Sequence, residues 1–153
     1  VLSVADVTLK GAVATLRRLK ELGMSLFLAS GSDHEAVVNE ATILGYADLF
    51  DGGIFGSVDD LENDPKSVVI RQILETIGRD QATELLAFGD GPVEIREATR
   101  QGGVSIGIAS DEVRRWGLNK EKRQRLILAG ARYVMADFTE IDRLLKLIME
   151  EGV

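Results

Sequence analysis

Three widely spaced residues of this 153-residue chain carry side chains that could do chemistry: Ser30, Lys66 and Asp90. Ser30 follows the apolar run of residues 24–29, and Asp90 ends a second run that begins at residue 85. A hydroxyl, an ammonium and a carboxylate at strand ends and a helix start suit a phosphate group and a divalent cation. We therefore expect a phosphate and cation pocket where these side chains meet.

The segment Ser30-Gly31 comes after a predicted strand and before a predicted helix. Its hydroxyl and backbone N–H groups would face a bound anion, and the alternative is that Ser30 simply caps the helix. Lys66 lies in the first turn of another predicted helix, where the helix dipole mildly disfavours a cation. That mismatch favours a functional role, and the alternative is a solvated lysine.

The segment 89–94, Gly-Asp-Gly-Pro-Val-Glu, is the more specific signal. Glu94 follows Asp90 by about one helical turn, so both carboxylates can face one point. Two carboxylates in that arrangement suit Mg²⁺, with water and a substrate phosphate completing its coordination. The alternative is a strand-to-helix turn in which Asp90 caps the helix and Glu94 stabilises its first turn.

Apolar runs alternate with helical patterns along the chain and would position these residues. Strands are predicted at residues 24–29, within 51–57, and at 85–89, 103–109 and 132–135. Helices are predicted at 11–22, 32–44 and 66–77, after Pro92 and after Thr139. Possible capping boxes start two of these helices, at Ser32 with Glu35 and at Thr139 with Asp142.

This alternation, with its short connections, predicts an α/β fold: a three-layer, Rossmann-like parallel sheet with helices on both faces. Ligands of such sheets bind beyond the carboxyl ends of the strands, where Ser30 and Asp90 are predicted to lie. The length fits one domain, residues 1–153.

The composition excludes several classes of function. A net charge of −7 argues against broad nucleic-acid binding. No apolar stretch reaches the length of a membrane span, so we expect no membrane partner. The absence of cysteine excludes disulfides and thiolate metal sites, and together with the lack of a signal-peptide pattern it favours a cytoplasmic protein.

Other chemically capable side chains are interpreted as structural. His34 is predicted to be a solvated first-turn side chain, and Trp116 to anchor the connection after the third strand, with an interface role as the alternative. Asp137 follows the last strand, where a simple turn explains it equally well. A solvated helix face explains a basic patch better than an anion site does; its members are Lys120, Lys122, Arg123 and Arg125.

These motifs, in this order, resemble the haloacid dehalogenase superfamily, and in particular its phosphoglycolate phosphatase and β-phosphoglucomutase branch. The likeness covers roughly residues 9–149, and four motifs in register are more specific than any one of them. The similar stretches are residues 11–23, 26–32, 48–51, 65–66 and 88–95 with Ala98.

The resemblance implies a role for each candidate residue. Ser30, with Gly31 beside it, would bind the transferred phosphoryl group, and Lys66 would neutralise the phosphate and the nucleophile. Asp90 would bind Mg²⁺, and Glu94 matches a second acidic position where aspartate is more usual. The implied activity is Mg²⁺-dependent hydrolysis of a small phosphorylated metabolite.

The resemblance also calls for an aspartate nucleophile in an Asp-x-Asp pattern on the first, central strand. No such pattern precedes Ser30, and the nearest candidate, Asp6, has Thr8 in place of the second aspartate. We therefore expect a missing N-terminal section that holds the nucleophile and a cap, and a chain that is inactive alone. The sheet edges would then be covered by that section or by a second copy of the chain.

Three alternatives stay open. Residues 1–7 could fill the central position as a non-catalytic strand. The protein could be a catalytically incompetent domain of the same fold, used for binding or assembly. It could also be a sugar phosphomutase, which shares the core chemistry and differs in the cap.

Overall fold

The strands and helices of the computed structural model follow the alternation predicted from the sequence. The structure describes residues 9–57, 65–78, 80 and 84–151. The contacts among these residues divide them into two compact units. The first unit holds the described residues from 13 to 77, and the second holds residues 9–12 and the described residues from 78 onward.

The first unit has two parallel strands with helices packed against them. Its elements are α1 (Ala12–Glu21, whose first residue is grouped with the second unit), β1 (Phe27–Asp33), α2 (His34–Ile43), a 3₁₀ turn (Ala47–Leu49), β2 (Gly53–Ser57) and α3 (Pro65–Ile77). Both α2 and α3 contact both strands. Their apolar faces supply most of a buried core made of Leu19, Leu26, Val37, Ala41, Val69, Ile70, Ile73 and Leu74.

A bulge interrupts the pairing of β1 with β2. Ala29 lies opposite Phe55, and the next paired position joins Asp33 to Ser57. Three residues of β1, 30–32, therefore face one residue of β2. Such bulges bend a strand and are common beside active sites.

The bulge also corrects the predicted start of α2. The strand continues to Asp33 instead of ending at residue 29, so Ser32 lies within the strand, two residues before the helix begins. The carboxylate of Asp33 accepts a hydrogen bond from the backbone N–H of Ala36 at 3.2 Å. The predicted capping box at Ser32 is therefore wrong, and Asp33 is the cap.

The second unit has three parallel strands in the order β3-β4-β5. Its elements are β3 (Leu86–Gly89), α4 (Pro92–Arg100), β4 (Val104–Ile108), α5 (Lys120–Leu128), β5 (Tyr133–Met135), a 3₁₀ turn (Phe138–Glu140) and α6 (Ile141–Glu150). Every residue of the central strand β4 is buried. Helix α5 packs so closely on it that a Cβ added to Gly107 would lie 3.0 Å from Leu126.

These elements confirm the predicted α/β class with parallel strands.

The predicted capping box at Thr139 is wrong, because α6 begins at Ile141 and Glu140 precedes it, while Asp137 caps the 3₁₀ turn. In the described ranges no helix combines the length and apolar character that crossing a membrane requires. The single domain over residues 1–153 stays a prediction.

Candidate functional site

The Ser30-Gly31 turn forms the bulge at the end of β1. Ser30 is half-buried, and its hydroxyl oxygen accepts a hydrogen bond from the backbone N–H of Ser32 at 3.1 Å. Because Asp33 caps α2, the alternative that Ser30 caps this helix is wrong. A hydroxyl that accepts a hydrogen bond in this way still has its proton to donate, for example to an oxyanion.

Lys66 lies against this turn. A Cβ built on Gly31 would be 3.4 Å from Cγ of Lys66 and 3.8 Å from its Cε, so the stem of the lysine crosses the glycine. The side chain is half-buried, at the second position of α3. The first unit therefore brings a cationic side chain to the residue beside Ser30, as a site for an oxyanion requires.

The acidic part of the candidate site belongs to the second unit. Asp90 follows β3 and its side chain is 61% exposed. Gly91 is the N-cap of α4, so the alternative that Asp90 caps this helix is wrong. The accompanying prediction that Glu94 stabilises the first turn is right, because its Oε1 accepts a hydrogen bond from the Gly91 N–H at 3.0 Å.

A glycine makes room for this arrangement. A Cβ on Gly89 would lie 2.1 Å from Cγ of Glu94, so the stem of the glutamate passes directly over the end of β3. Glu94 thus stabilises the start of the helix. Its role as a metal ligand stays a prediction. The expectation that Asp90 and Glu94 lie near Ser30 and Lys66 also stays a prediction.

The donor chemistry of the acidic part fits Mg²⁺. No group of three or more histidine, cysteine or acidic side chains gathers around one point in the part of the chain that the structure covers. Mg²⁺ does not need such a cage, because it commonly uses one or two carboxylates and completes its coordination with water and substrate phosphate. Asp90 is exposed and could supply one oxygen, with Glu94 as a second candidate.

Residues 1–102 match the haloacid dehalogenase-like hydrolase family. The chain belongs to this family. The resemblance found in its motifs is therefore confirmed, and no curated protein matches the chain.

Solved structures of this family share the fold. The chain is 26% identical to a predicted phosphatase from Clostridium acetobutylicum, with a TM-score of 0.69, covering 92% of this chain and 59% of that one. A predicted phosphoglycolate phosphatase from Haemophilus somnus gives 20% identity and a TM-score of 0.71, with coverage of 90% and 56%. A putative β-phosphoglucomutase from Thermotoga maritima gives 19% identity and a TM-score of 0.72, covering 91% of this chain and 60% of that one. The chain thus spans between half and two thirds of their lengths.

Sequence reasoning missed one charged residue next to Asp90. Lys122 is only 3% exposed, so the predicted solvated face is wrong at this position and right at the other three basic residues, Lys120, Arg123 and Arg125. Its Nζ lies 3.1 Å from Oε1 of Glu112 and 3.8 Å from Oδ2 of Asp90. Leu126, four residues later and also buried, was the available signal, because residues four apart share a helix face.

Asp137, two residues after β5, differs from Asp90 because both of its oxygens accept hydrogen bonds within the folded unit. Oδ1 accepts hydrogen bonds from the N–H and hydroxyl of Thr139, at 2.9 and 2.6 Å, and Oδ2 accepts one from the Gly117 N–H at 3.1 Å. Burial raises the pKa of Asp137, but these hydrogen bonds and the charge of Lys10 outweigh it, so the pKa is lowered overall. This aspartate is an anchor for the loop before α5.

The structure also shows the surroundings of His34 and Trp116, which were interpreted from the sequence as structural side chains. His34 is half-buried rather than solvated, and its Nδ1 accepts a hydrogen bond from the Gly56 N–H at 3.2 Å. Trp116 is 50% exposed, with the guanidinium carbon of Arg114 4.9 Å from the centre of its ring. Asp6, the candidate nucleophile, lies outside the described residues.

Proposed function

We propose that the full-length protein carrying this chain is a Mg²⁺-dependent phosphate monoester hydrolase acting on a small phosphorylated metabolite in the cytoplasm. The observation that carries the proposal is the contact of Lys66 with the Ser30-Gly31 turn. Family membership alone leaves the reaction open. A hydroxyl and an ammonium placed at one bulge favour a ligand with several anionic oxygens, and a phosphoryl group has that character.

Each residue has a proposed task. The Ser30 hydroxyl donates a hydrogen bond to a phosphoryl oxygen, and the Lys66 ammonium offsets negative charge that is shared between the phosphate and its attacker. Asp90 holds the cation, with Glu94 as the second candidate ligand. Bound Mg²⁺ would supply charge neutralisation at the phosphate oxygens.

The attacking group is not assigned to this chain. Family resemblance calls for an Asp-x-Asp pair, and the residues before Ser30 contain none. We therefore assign hydrolysis to the full-length protein, and we expect residues 1–153 alone to be inactive.

The test is phosphate release by the full-length protein from a panel of phosphorylated sugars and short phosphorylated acids, with Mg²⁺ or with a chelator. We expect turnover only with Mg²⁺, and a loss of at least about 100-fold in Lys66→Ala, since one charge-stabilising donor contributes that much. Lys146→Ala is the matched control because Lys146 is 77% exposed on α6.

Full activity of Lys66→Ala would overturn the site assignment. Conversion of one sugar phosphate into another, without free phosphate, would identify a phosphomutase instead. No reaction with any compound of the panel would favour the non-catalytic domain.

A further inference from the structure

The position of Lys122 is electrostatically costly. An ammonium buried to this degree loses its hydration, which is strongly unfavourable unless the charge is paired. Lys122 also lies in the first turn of α5, just after the N-cap Asn119, where the positive end of the helix dipole opposes a cation. Packing alone would be better served by methionine or leucine at this position.

Two carboxylates offset this cost, and both come from surface positions. Glu112 is 76% exposed and Asp90 is 61% exposed, while the Lys122 side chain is 4% exposed. The ammonium thus lies beneath both acids and attracts one oxygen of each. The 3.1 Å contact with Glu112 is the tighter one, and the 3.8 Å separation from Asp90 is an ion pair without a hydrogen bond.

The segment that presents Glu112 is itself firmly held. Asp111 N–H donates to the Gly117 carbonyl at 3.0 Å, and the Asp111 carboxylate accepts from the N–H groups of Val113 and Arg114 at 3.0 and 2.9 Å. The N–H of Gly117 in turn donates to Asp137. Glu112 therefore approaches Lys122 from a loop of defined shape.

We propose that Lys122 is a positioning residue for Asp90. The ammonium draws Oδ2 of Asp90 inward, so that the other oxygen is directed outward, available to a divalent cation. Glu112 shares the ammonium and so limits its competition with that cation. The inference rests on the proposed function, because it assumes that Asp90 binds Mg²⁺.

Simple charge repulsion predicts the opposite result, and this makes the inference testable. If Lys122 were only a nearby positive charge, its removal would strengthen Mg²⁺ binding. If it positions Asp90, its removal weakens binding, typically by 10- to 100-fold for a residue that orients a metal ligand. If it only fills space, binding does not change.

The experiment is calorimetric titration of the metal-free, full-length protein with MgCl₂, which reads affinity independently of turnover. We expect Lys122→Met to weaken binding at least about tenfold and Lys122→Arg, which keeps the charge, to restore most of it. Lys120→Met is the matched control: it removes the same charge from an exposed position of the same helical turn. Lys122→Gln serves as the second neutral variant should Lys122→Met fail to fold, with the same expected direction.

Asp90→Asn separates the two proposals. If Asp90→Asn abolishes Mg²⁺ binding while the neutral Lys122 variants bind as tightly as wild type or tighter, the positioning role is wrong and the proposed metal site stands. If Asp90→Asn binds Mg²⁺ like wild type, the metal site itself is wrong and the role of Lys122 falls with it.

Discussion

The two parts of the candidate site are held in place by different forces. In the first unit, backbone lies against backbone: Gly56 of β2 is so close to the start of α2 that a Cβ there would be 2.4 Å from Cα of His34. In the second unit, side-chain charges do the positioning, since Asp90 is paired with a buried ammonium that it shares with Glu112.

This difference has consequences for how each part should fail. Close-packed backbone tolerates little added volume but carries no charge that pH or salt could change. Carboxylates in ion pairs and hydrogen bonds carry a charge, so their contribution to stability depends on protonation. A methyl group added where backbone meets backbone, as at Gly56, should therefore damage the first part most, and substitutions that remove one charge should damage the second.

The largest effect is expected from Gly56→Ala. The new methyl group would meet His34 Cα at 2.4 Å, His34 N at 2.8 Å and the Ser32 carbonyl oxygen at 3.0 Å, and no side-chain rotation relieves contacts with backbone. We expect the free energy of unfolding to fall by about 3 kcal/mol, at the upper end for overpacking, as measured by urea denaturation.

Gly31→Ala is the matched comparison within the same bulge. Its Cβ would reach Cγ of Lys66 at 3.4 Å, an ordinary contact with a flexible side chain. The free energy of unfolding should change by less than about 1 kcal/mol. Equal losses of stability in the two variants would contradict this explanation, which attributes the cost at Gly56 to the close approach of backbone and not to the replacement of a glycine as such.

The next effect concerns pH and belongs to the second unit. Because the folded-state pKa of Asp137 is lowered, its carboxylate adds stability that is present above the unfolded-state value of about 3.9 and is lost as the pH falls through the folded-state pKa. In Asp137→Asn, an amide NH₂ would face a backbone N–H in place of one acceptor oxygen. We expect a loss of about 1–2 kcal/mol at pH 7 that shrinks toward pH 3, measured by urea denaturation across this range.

Asp48→Asn, at an exposed position of the first unit, is the control. It should leave the stability at pH 7 within about 0.5 kcal/mol of wild type. A constant deficit of Asp137→Asn at all pH values would show that the substitution acts through packing and not through the charge.

The elements were predictable from sequence because the signals for them are local. Apolar runs, helical spacing and glycine stops lie within ten or so residues, and the order of motifs around Ser30, Lys66 and Asp90 identified the family. The start of α2 was not predictable in this way. It depends on how far β1 pairs with β2, and this register is set by contacts between residues far apart in sequence.

Lys122 was mispredicted for a related reason. The composition of this segment suggests a solvated lysine. The spacing of four to Leu126 points to a buried helix face, but the acidic partners Asp90 and Glu112 reach Lys122 only in the folded unit. Buried charge is rare because it needs partners, and those partners come from separate connections in the chain. The residues that sequence reasoning missed are thus those whose environment is assembled by tertiary contacts.

A smaller loss of stability than at Asp137 is expected at Glu94, where the result separates a structural from a metal-binding role. Glu94→Ala removes the acceptor for the Gly91 N–H and should cost about 1 kcal/mol, as the loss of a helix cap does. Glu94→Gln keeps an acceptor oxygen at the same reach and should keep nearly all of that stability, as thermal unfolding can check. The charge, however, is gone.

Mg²⁺ titration of the same two variants completes the test. If Glu94 is a ligand, Glu94→Gln should bind Mg²⁺ more weakly despite its retained stability, because a neutral amide oxygen attracts the cation less than a carboxylate does. If Glu94 only stabilises the start of α4, Glu94→Gln should bind Mg²⁺ like wild type. In that case, of Asp90 and Glu94, only Asp90 would bind the cation. Its positioning by Lys122 would then matter more for Mg²⁺ binding than the number of acidic residues.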